Sequence, residues 1–248
     1  MNRIIKQGGD LKVTIKLPSE LMQYLAGEKM PRGMRLPAIQ DLAATLEIST
    51  GKLREQLEVA RQLGLLDIRP KTGIRTCDYS FFRSLKPGLL FALALNPDLF
   101  YAFGMLRNHI EAAFWNEAVQ MLHPQDIANL DQLVGSAWEK LRGYPIQIPH
   151  EEHRQLHLTI YARLENIFVV GLLEAYWEAY EAVGLNLYAD YSYLESVWTY
   201  HENMVQAIRE GAYDIGYQAL IEHTGLLHNR PEVGRYRPPS YHDAIIQK

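Results

Sequence analysis

From residue 88 onward the sequence is written almost wholly in helical periodicity. The interruptions are short: Asn96-Pro97, His123-Pro124, Gly143-Tyr144-Pro145, Gly184 and Gly211. No alternating strand pattern occurs in this stretch. The spacing predicts helices over 86–94, 97–121, 124–141, 149–164, 166–184, 190–210 and 213–228. About seven helices joined by connections this short pack as sequential neighbours, so an all-α antiparallel bundle is expected. In LRNHIEAAFWNEAVQML the apolar positions predict a core face of Leu106, Ile110, Ala113, Phe114, Ala118 and Leu122.

Seven of the nine histidines fall within these helical segments, and four of them are spaced so that they can converge. His153 and His157 of HEEHRQLH are four residues apart, hence on one helix face and about 6 Å apart along the axis. His201 sits in YHENMVQAIREG and His223 in YQALIEHTGLL. Three helices can therefore direct four imidazoles at one point, a donor set suited to zinc, with nickel as the alternative. The competing reading is a set of hydrogen-bonded core histidines. Imidazoles ligate in the deprotonated form, so occupancy should fall below about pH 6.5. His109, His123, His228 and His242 are expected to be structural or exposed. A zincin-type hydrolase needs Glu directly after the first His, and Arg154 stands there. The sequence shows no Ser-His-Asp elbow, no phosphate-cradling glycine loop and no catalytic carboxylate pair. No enzyme is expected.

The chain of 248 residues is long enough for two domains, and its hydrophobic fraction of 48% suits a soluble protein. Apolar runs such as GLLFALAL are far shorter than the roughly 20 residues of a membrane span. The N-terminus has no apolar signal region, and the single Cys77 suits a reducing compartment, so a cytoplasmic location is expected. Net charge of −4 conceals an asymmetry. Residues 1–76 carry 13 basic and 8 acidic side chains, a net of +5, and the remainder a net of −9. A basic head on an acidic body suits a nucleic-acid-binding domain joined to a domain with another task.

Within that head, PSELMQYLAGEKM (18–30) has helical spacing, and Pro37 suits the first position of a second helix, AIQDLAATLEI. Ser49 or Thr50 can cap a third, TGKLREQLEVARQLG, which should bury Leu53, Leu57, Ala60 and Leu63 and end at Gly64. LLDIRP and GIRT then read as a hairpin around Lys71-Thr72-Gly73. Three helices and a hairpin are the order of a winged helix-turn-helix over residues 1–76. Residues 77–85 read as a linker, 86–230 as the helical domain and 231–248 as a tail.

The run Gly33, Leu36, Pro37, Leu42, Ala43, Ser49, Leu53, Arg54, Glu55, Leu57, Leu63, Gly64, Leu65, Arg69, Pro70 and Gly73 resembles the DNA-binding domain of the GntR family of bacterial repressors. That resemblance implies DNA contacts from Arg54 first, with Thr50, Lys52, Gln40, Arg35 and Lys71 behind it. Thr50 stands where family members usually carry arginine, which implies an unusual operator. LRNHIEAAFWNEAV is in turn similar to the opening of the FCD effector domain of the FadR subfamily. An FCD domain implies a helical bundle around a metal commonly held by one aspartate and three histidines. HRQLH, with Asn166 after it, and the His201 and His223 segments match its pattern, but His153 stands where aspartate is usual. Either His153 ligates, or His150 or Glu152 takes its place; helix geometry favours His153, one turn from His157. Arg107, matching the domain's first motif, implies either a clamp for an effector carboxylate or a buried salt bridge. Tyr161 and Asn203, with Tyr193, Tyr200 and Trp115, are weaker pocket candidates.

The expected protein is mainly α: a homodimeric DNA-binding transcription regulator of repressor type. It should bind a palindromic operator and respond to a small carboxylate, an organic acid, at a metal-containing pocket. The alternative is a regulator whose effector is the divalent metal itself.

Overall fold

The computed structural model describes residues 4–7, 10–13, 15–27, 31–71, 73–185 and 190–226. It divides into one unit up to Ser84 and a second from Leu85. The expected tail over 231–248 lies outside the described residues.

Capping and burial account for the helices of the first unit. These are α1 (Glu20–Gly27), α2 (Ile39–Thr45) and α3 (Thr50–Gln62). Ser49 caps α3, its hydroxyl accepting from the Lys52 amide at 3.1 Å. Leu53, Leu57 and Ala60 then fall on the inner face of α3 and meet Leu21, Leu36, Leu42, Leu66 and Ile74 in the core. Pro37 precedes the α2 cap at Ala38 instead of opening the helix. Its neighbour Leu36 is held beside the wing by donating its amide N–H to the Ile74 carbonyl at 2.9 Å. Glu47 takes a positive φ of 55° in the turn between α2 and α3.

Two hairpins complete this unit. β1 (Ile4–Gln7) pairs antiparallel with β2 (Asp10–Val13), a hairpin that the sequence reading did not anticipate although Gly8-Gly9 separates its strands. The wing is β3 (Leu66–Arg69) against β4 (Gly73–Thr76), in the expected place, with a bridge from Arg35 to Arg75 beside it. Leu63 caps α3 without full burial, and Gly64 follows at φ 70°. A Cβ on Gly64 would come within 2.7 Å of Arg83, so both backbone and space require glycine there.

Among the described residues seven helices follow: α4 (Phe81–Leu95), α5 (Leu99–Gln120), α6 (Pro124–Arg142), α7 (His150–Tyr161), α8 (Ile167–Ala182), α9 (Tyr191–Glu210) and α10 (Tyr213–Leu226). Their number and order are those that the periodicity predicts. α4 starts inside the stretch 77–85 read as a linker, which places Pro87 within the helix. Asp126 closes the start of α6 by accepting from the His123 amide at 2.8 Å. Asn166 caps α8 through the amides of Phe168 and Val169. Trp115, Trp177, Trp198, Leu130, Leu141, Leu156 and Ile160 are among the fully buried side chains of this unit.

On α5 the buried face differs from the predicted one. It runs through Phe100, Gly104, Arg107, Glu111, Trp115, Ala118 and Val119, while Leu106 is 47% exposed and Ala113 is exposed. Hydropathy assigns Arg107 and Glu111 to the outside. The bundle buries them as a pair, which rotates the stripe by one position. Trp115 also fixes the approach of α10, because a Cβ on Gly216 would lie 2.7 Å from its ring. Gly216→Ala should therefore destabilise the unit. Overpacking of about 1–3 kcal/mol outweighs the roughly 1 kcal/mol that alanine gains in helix propensity. Thermal unfolding of the two proteins should show the variant melting several degrees lower.

Candidate metal centre

The four histidines reach one point because each occupies a core position in an otherwise apolar stripe. On α9 the buried residues are Leu194, Val197, Trp198, His201, Met204, Val205, Ala207 and Ile208, so His201 stands where a leucine would serve packing alone. On α10 the stripe is Gly216, Ala219, Leu220 and His223. On α7, Leu156 and Ile160 enter the core while His157 turns inward beside them, with His153 one turn earlier.

One ligand atom from each of His153, His157, His201 and His223 lies within 4.8 Å of all the others. The His157 and His201 Nε2 atoms are 3.1 Å apart. Two nitrogens on one tetrahedral zinc, at about 2.0–2.1 Å each, stand roughly 3.3 Å apart. Three further ring nitrogens, His153 Nε2, His201 Nδ1 and His223 Nδ1, are buried with no hydrogen-bond partner. Buried nitrogens without partners are rare in packed cores, and one cation among the rings would take a single nitrogen from each, so Nε2 or Nδ1 of His201 but not both. The residues present fit a nitrogen-binding divalent metal.

Electrostatics point the same way. Burial pushes the His153, His201 and His223 imidazoles well below their ordinary range; neighbouring imidazoles and Arg107 add to the shift. His157 is lowered less, because Glu111 opposes the effect of burial. All four therefore favour the neutral form that ligates. Burial pushes the Glu111 carboxyl upward, but Arg107 and His157 together bring it below the ordinary carboxylate range.

His150 and Glu152, the alternatives to His153, are engaged elsewhere. His150 Nε2 lies 3.0 Å from Glu181, and Glu152 accepts Lys140 at 2.6 Å. Arg107 is buried, with Nη2 3.0 Å from Glu111 Oε2 and 2.9 Å from His157 Nδ1, and its guanidinium lies over the Tyr176 ring. It also lines a cavity of about 20 Å³ with Asn108, His153, Tyr176, Tyr180, Tyr193 and His223, room for one water. The structure places two of the expected pocket residues outside the lining of this cavity. The Tyr161 hydroxyl donates to the Glu111 carbonyl at 2.9 Å, tied into the core beside the cavity. Asn203 is exposed and lines a separate groove between α9 and α10. It sits two residues beyond His201, on the opposite side of the helix. Glu111, Tyr176 and Tyr180 were missed; the i,i+4 step from Arg107 to Glu111 was the available signal.

Arg35, Gln40, Thr50, Lys52, Arg54 and Lys71 are all exposed. Lys52 pairs with Glu20 at 2.5 Å, and Gln56 binds the same carboxylate, so Lys52 is partly committed to joining α3 to α1. Arg54 makes no ion pair among the described residues.

Residues 104–226 match the FCD domain family. No curated protein matches the chain. Among solved structures, Streptococcus agalactiae GntR is similar at 19% identity and a TM-score of 0.63, over 84% of this chain and 95% of that one. E. coli McbR/YncC is 19% identical, with a TM-score of 0.46 over 88% of this chain and 98% of its own. A GntR family member from Pseudomonas syringae pv. tomato is 18% identical, with a TM-score of 0.38 over 83% and 78%. The likeness of fold rests on the first of these.

Two outcomes are expected. The protein should take up one equivalent of zinc per chain by elemental analysis, and His201→Ala or His223→Ala should weaken uptake by more than about 100-fold, beyond the loss seen when a supporting group is removed. The metal-free protein should also be acid-sensitive. Its buried histidines have folded pKa values below the ordinary 6.5, so the unfolded chain binds more protons. Stability is thus full above about pH 6.5 and should fall by roughly 1 kcal/mol per histidine for each pH unit below it. Denaturant titrations at pH 7.5 and 5.5 measure this; equal stability at both would contradict it.

Proposed function

We propose that this chain, whose residues 104–226 match the FCD domain family and whose fold is similar to that of Streptococcus agalactiae GntR, is a GntR-type regulator: a metal-containing, ligand-responsive repressor that acts as a homodimer in the cytoplasm. Each copy reads one half of a palindromic operator with α3 and the wing. Arg54 reaches base edges, and Arg35, Gln40, Thr50, Lys52 and Lys71 hold register against the duplex. Zinc, or nickel, sits among His153, His157, His201 and His223. A small organic acid binds beside it, with Arg107 as its partner, and changes operator affinity. One observation carries this reading: a chain whose α3 exposes Lys52 and Arg54 also gathers four imidazoles around one point. No helix among the described residues is long and apolar enough to cross a membrane.

A second reading has its own support. The cavity beside the histidines has room for about one water, and Arg107 is already paired with Glu111. Both facts favour the metal itself as effector, since its binding needs no further space. Operator affinity of the metal-stripped protein separates the two. Under the first reading it changes with an organic acid only when zinc is present; under the second, zinc alone changes it.

Gel-shift titration with the DNA upstream of the protein's own gene tests the regulator. Arg54→Ala should weaken binding by about 1–3 kcal/mol and relax sequence preference. Lys52→Ala should cost less, because Glu20 already holds that ammonium. Failure of the wild-type protein to bind any duplex at low salt would remove the proposal.

A further inference from the structure

We infer that Glu111 positions His157 for the metal by keeping a proton on its Nδ1; this rests on the four-histidine reading above. His157 Nδ1 has two buried neighbours with opposite demands. Glu111 Oε1 is 3.1 Å away and, as a carboxylate, only accepts. Arg107 Nη2 is 2.9 Å away and only donates. A neutral ring nitrogen cannot satisfy both.

Each choice sets the other side of the ring. With the proton on Nδ1, His157 donates to Glu111, and Nε2 keeps the lone pair with which an imidazole ligates. With Nδ1 bare, it accepts from Arg107, and the proton moves to Nε2. There it lies against His201 Nε2, 3.1 Å off, and closes that nitrogen to a cation. Passage between the forms relocates one proton within one ring and needs no other reactant.

Glu111 is built to win this competition when a metal arrives. It is 1% exposed, so no bulk water competes for its oxygens. Its second oxygen, Oε2, is 3.0 Å from Arg107 Nη2. Arg107 can therefore release the imidazole and stay paired with the same carboxylate. The Tyr161 hydroxyl, bonded to the Glu111 carbonyl, ties this turn of α5 to the end of α7. Hydrogen-bonding partners of this kind orient a ligating imidazole, and their loss costs about 10–100-fold in metal affinity.

The experiment uses the full chain. Zinc affinity is measured by competition with a chromophoric chelator for wild type, Glu111→Gln, Glu111→Ala and Glu111→Asp. Long-range proton–nitrogen NMR reads the tautomer of His157 in the zinc-loaded wild type. Expected are about a 10-fold loss for Gln, up to about 100-fold for Ala, partial recovery for Asp, and a His157 ring protonated at Nδ1 and metal-bound at Nε2. Wild-type affinity in the Gln and Ala variants overturns the inference, as does His157 ligating through Nδ1. If the variants do not fold, the wild-type spectrum decides alone. A wild type that takes up no zinc would instead overturn the metal reading.

Discussion

A carboxylate that is 1% exposed must be paired, and the pairing of Glu111 organises the centre of the helical unit. Breaking a buried pair on one side costs about 3–5 kcal/mol, because the other charge is then stranded without water. Arg107 answers it from one turn earlier on the same helix. That pair obliges α5 to present the 107–111 face inward, and Phe100, Gly104, Trp115 and Ala118 follow on the same stripe. Trp115 in turn meets Gly216, so the line of α10 is set by a residue four positions from the buried carboxylate. Leu106 pays for this arrangement with exposure.

The same polar centre reaches α7 through His157 and, across the ring, His201 on α9. Burial favours the neutral form of these four imidazoles, and with one ligand atom from each within 4.8 Å of the others they could hold a nitrogen-loving cation. A cation there would join α7, α9 and α10, helices that are otherwise held by leucine and tryptophan packing. An all-histidine set differs from the mixed aspartate and histidine set implied by the family resemblance in carrying no formal charge of its own. The nearest buried anion is Glu111, and it touches the site through a ligand's far side.

The N-terminal unit follows a simpler rule. Its helices are short, and two of them are tied at their ends: Ser49 on α3, Gly64 after it, and Glu20 of α1 gripping both Lys52 and Gln56. Those tethers use one of the basic side chains expected at DNA and leave Arg54 unpaired among the described residues.

Much of this was legible from spacing. Seven helices, the wing and the four histidines come from local patterns, since helix formation and capping depend on residues a few positions apart. His153 was favoured over His150 and Glu152 by helix geometry, and those two are engaged with Glu181 and Lys140. The sequence by itself thus determined which segments are helical and which imidazoles share a face. Tertiary structure alone decided which face of α5 is buried, that Arg107 answers Glu111, and that neither Tyr161 nor Asn203 lines the cavity. The reason is physical: hydropathy ranks a charged side chain by its isolated cost in a core, and that cost vanishes from view only when its partner, on the same helix or another, is buried with it.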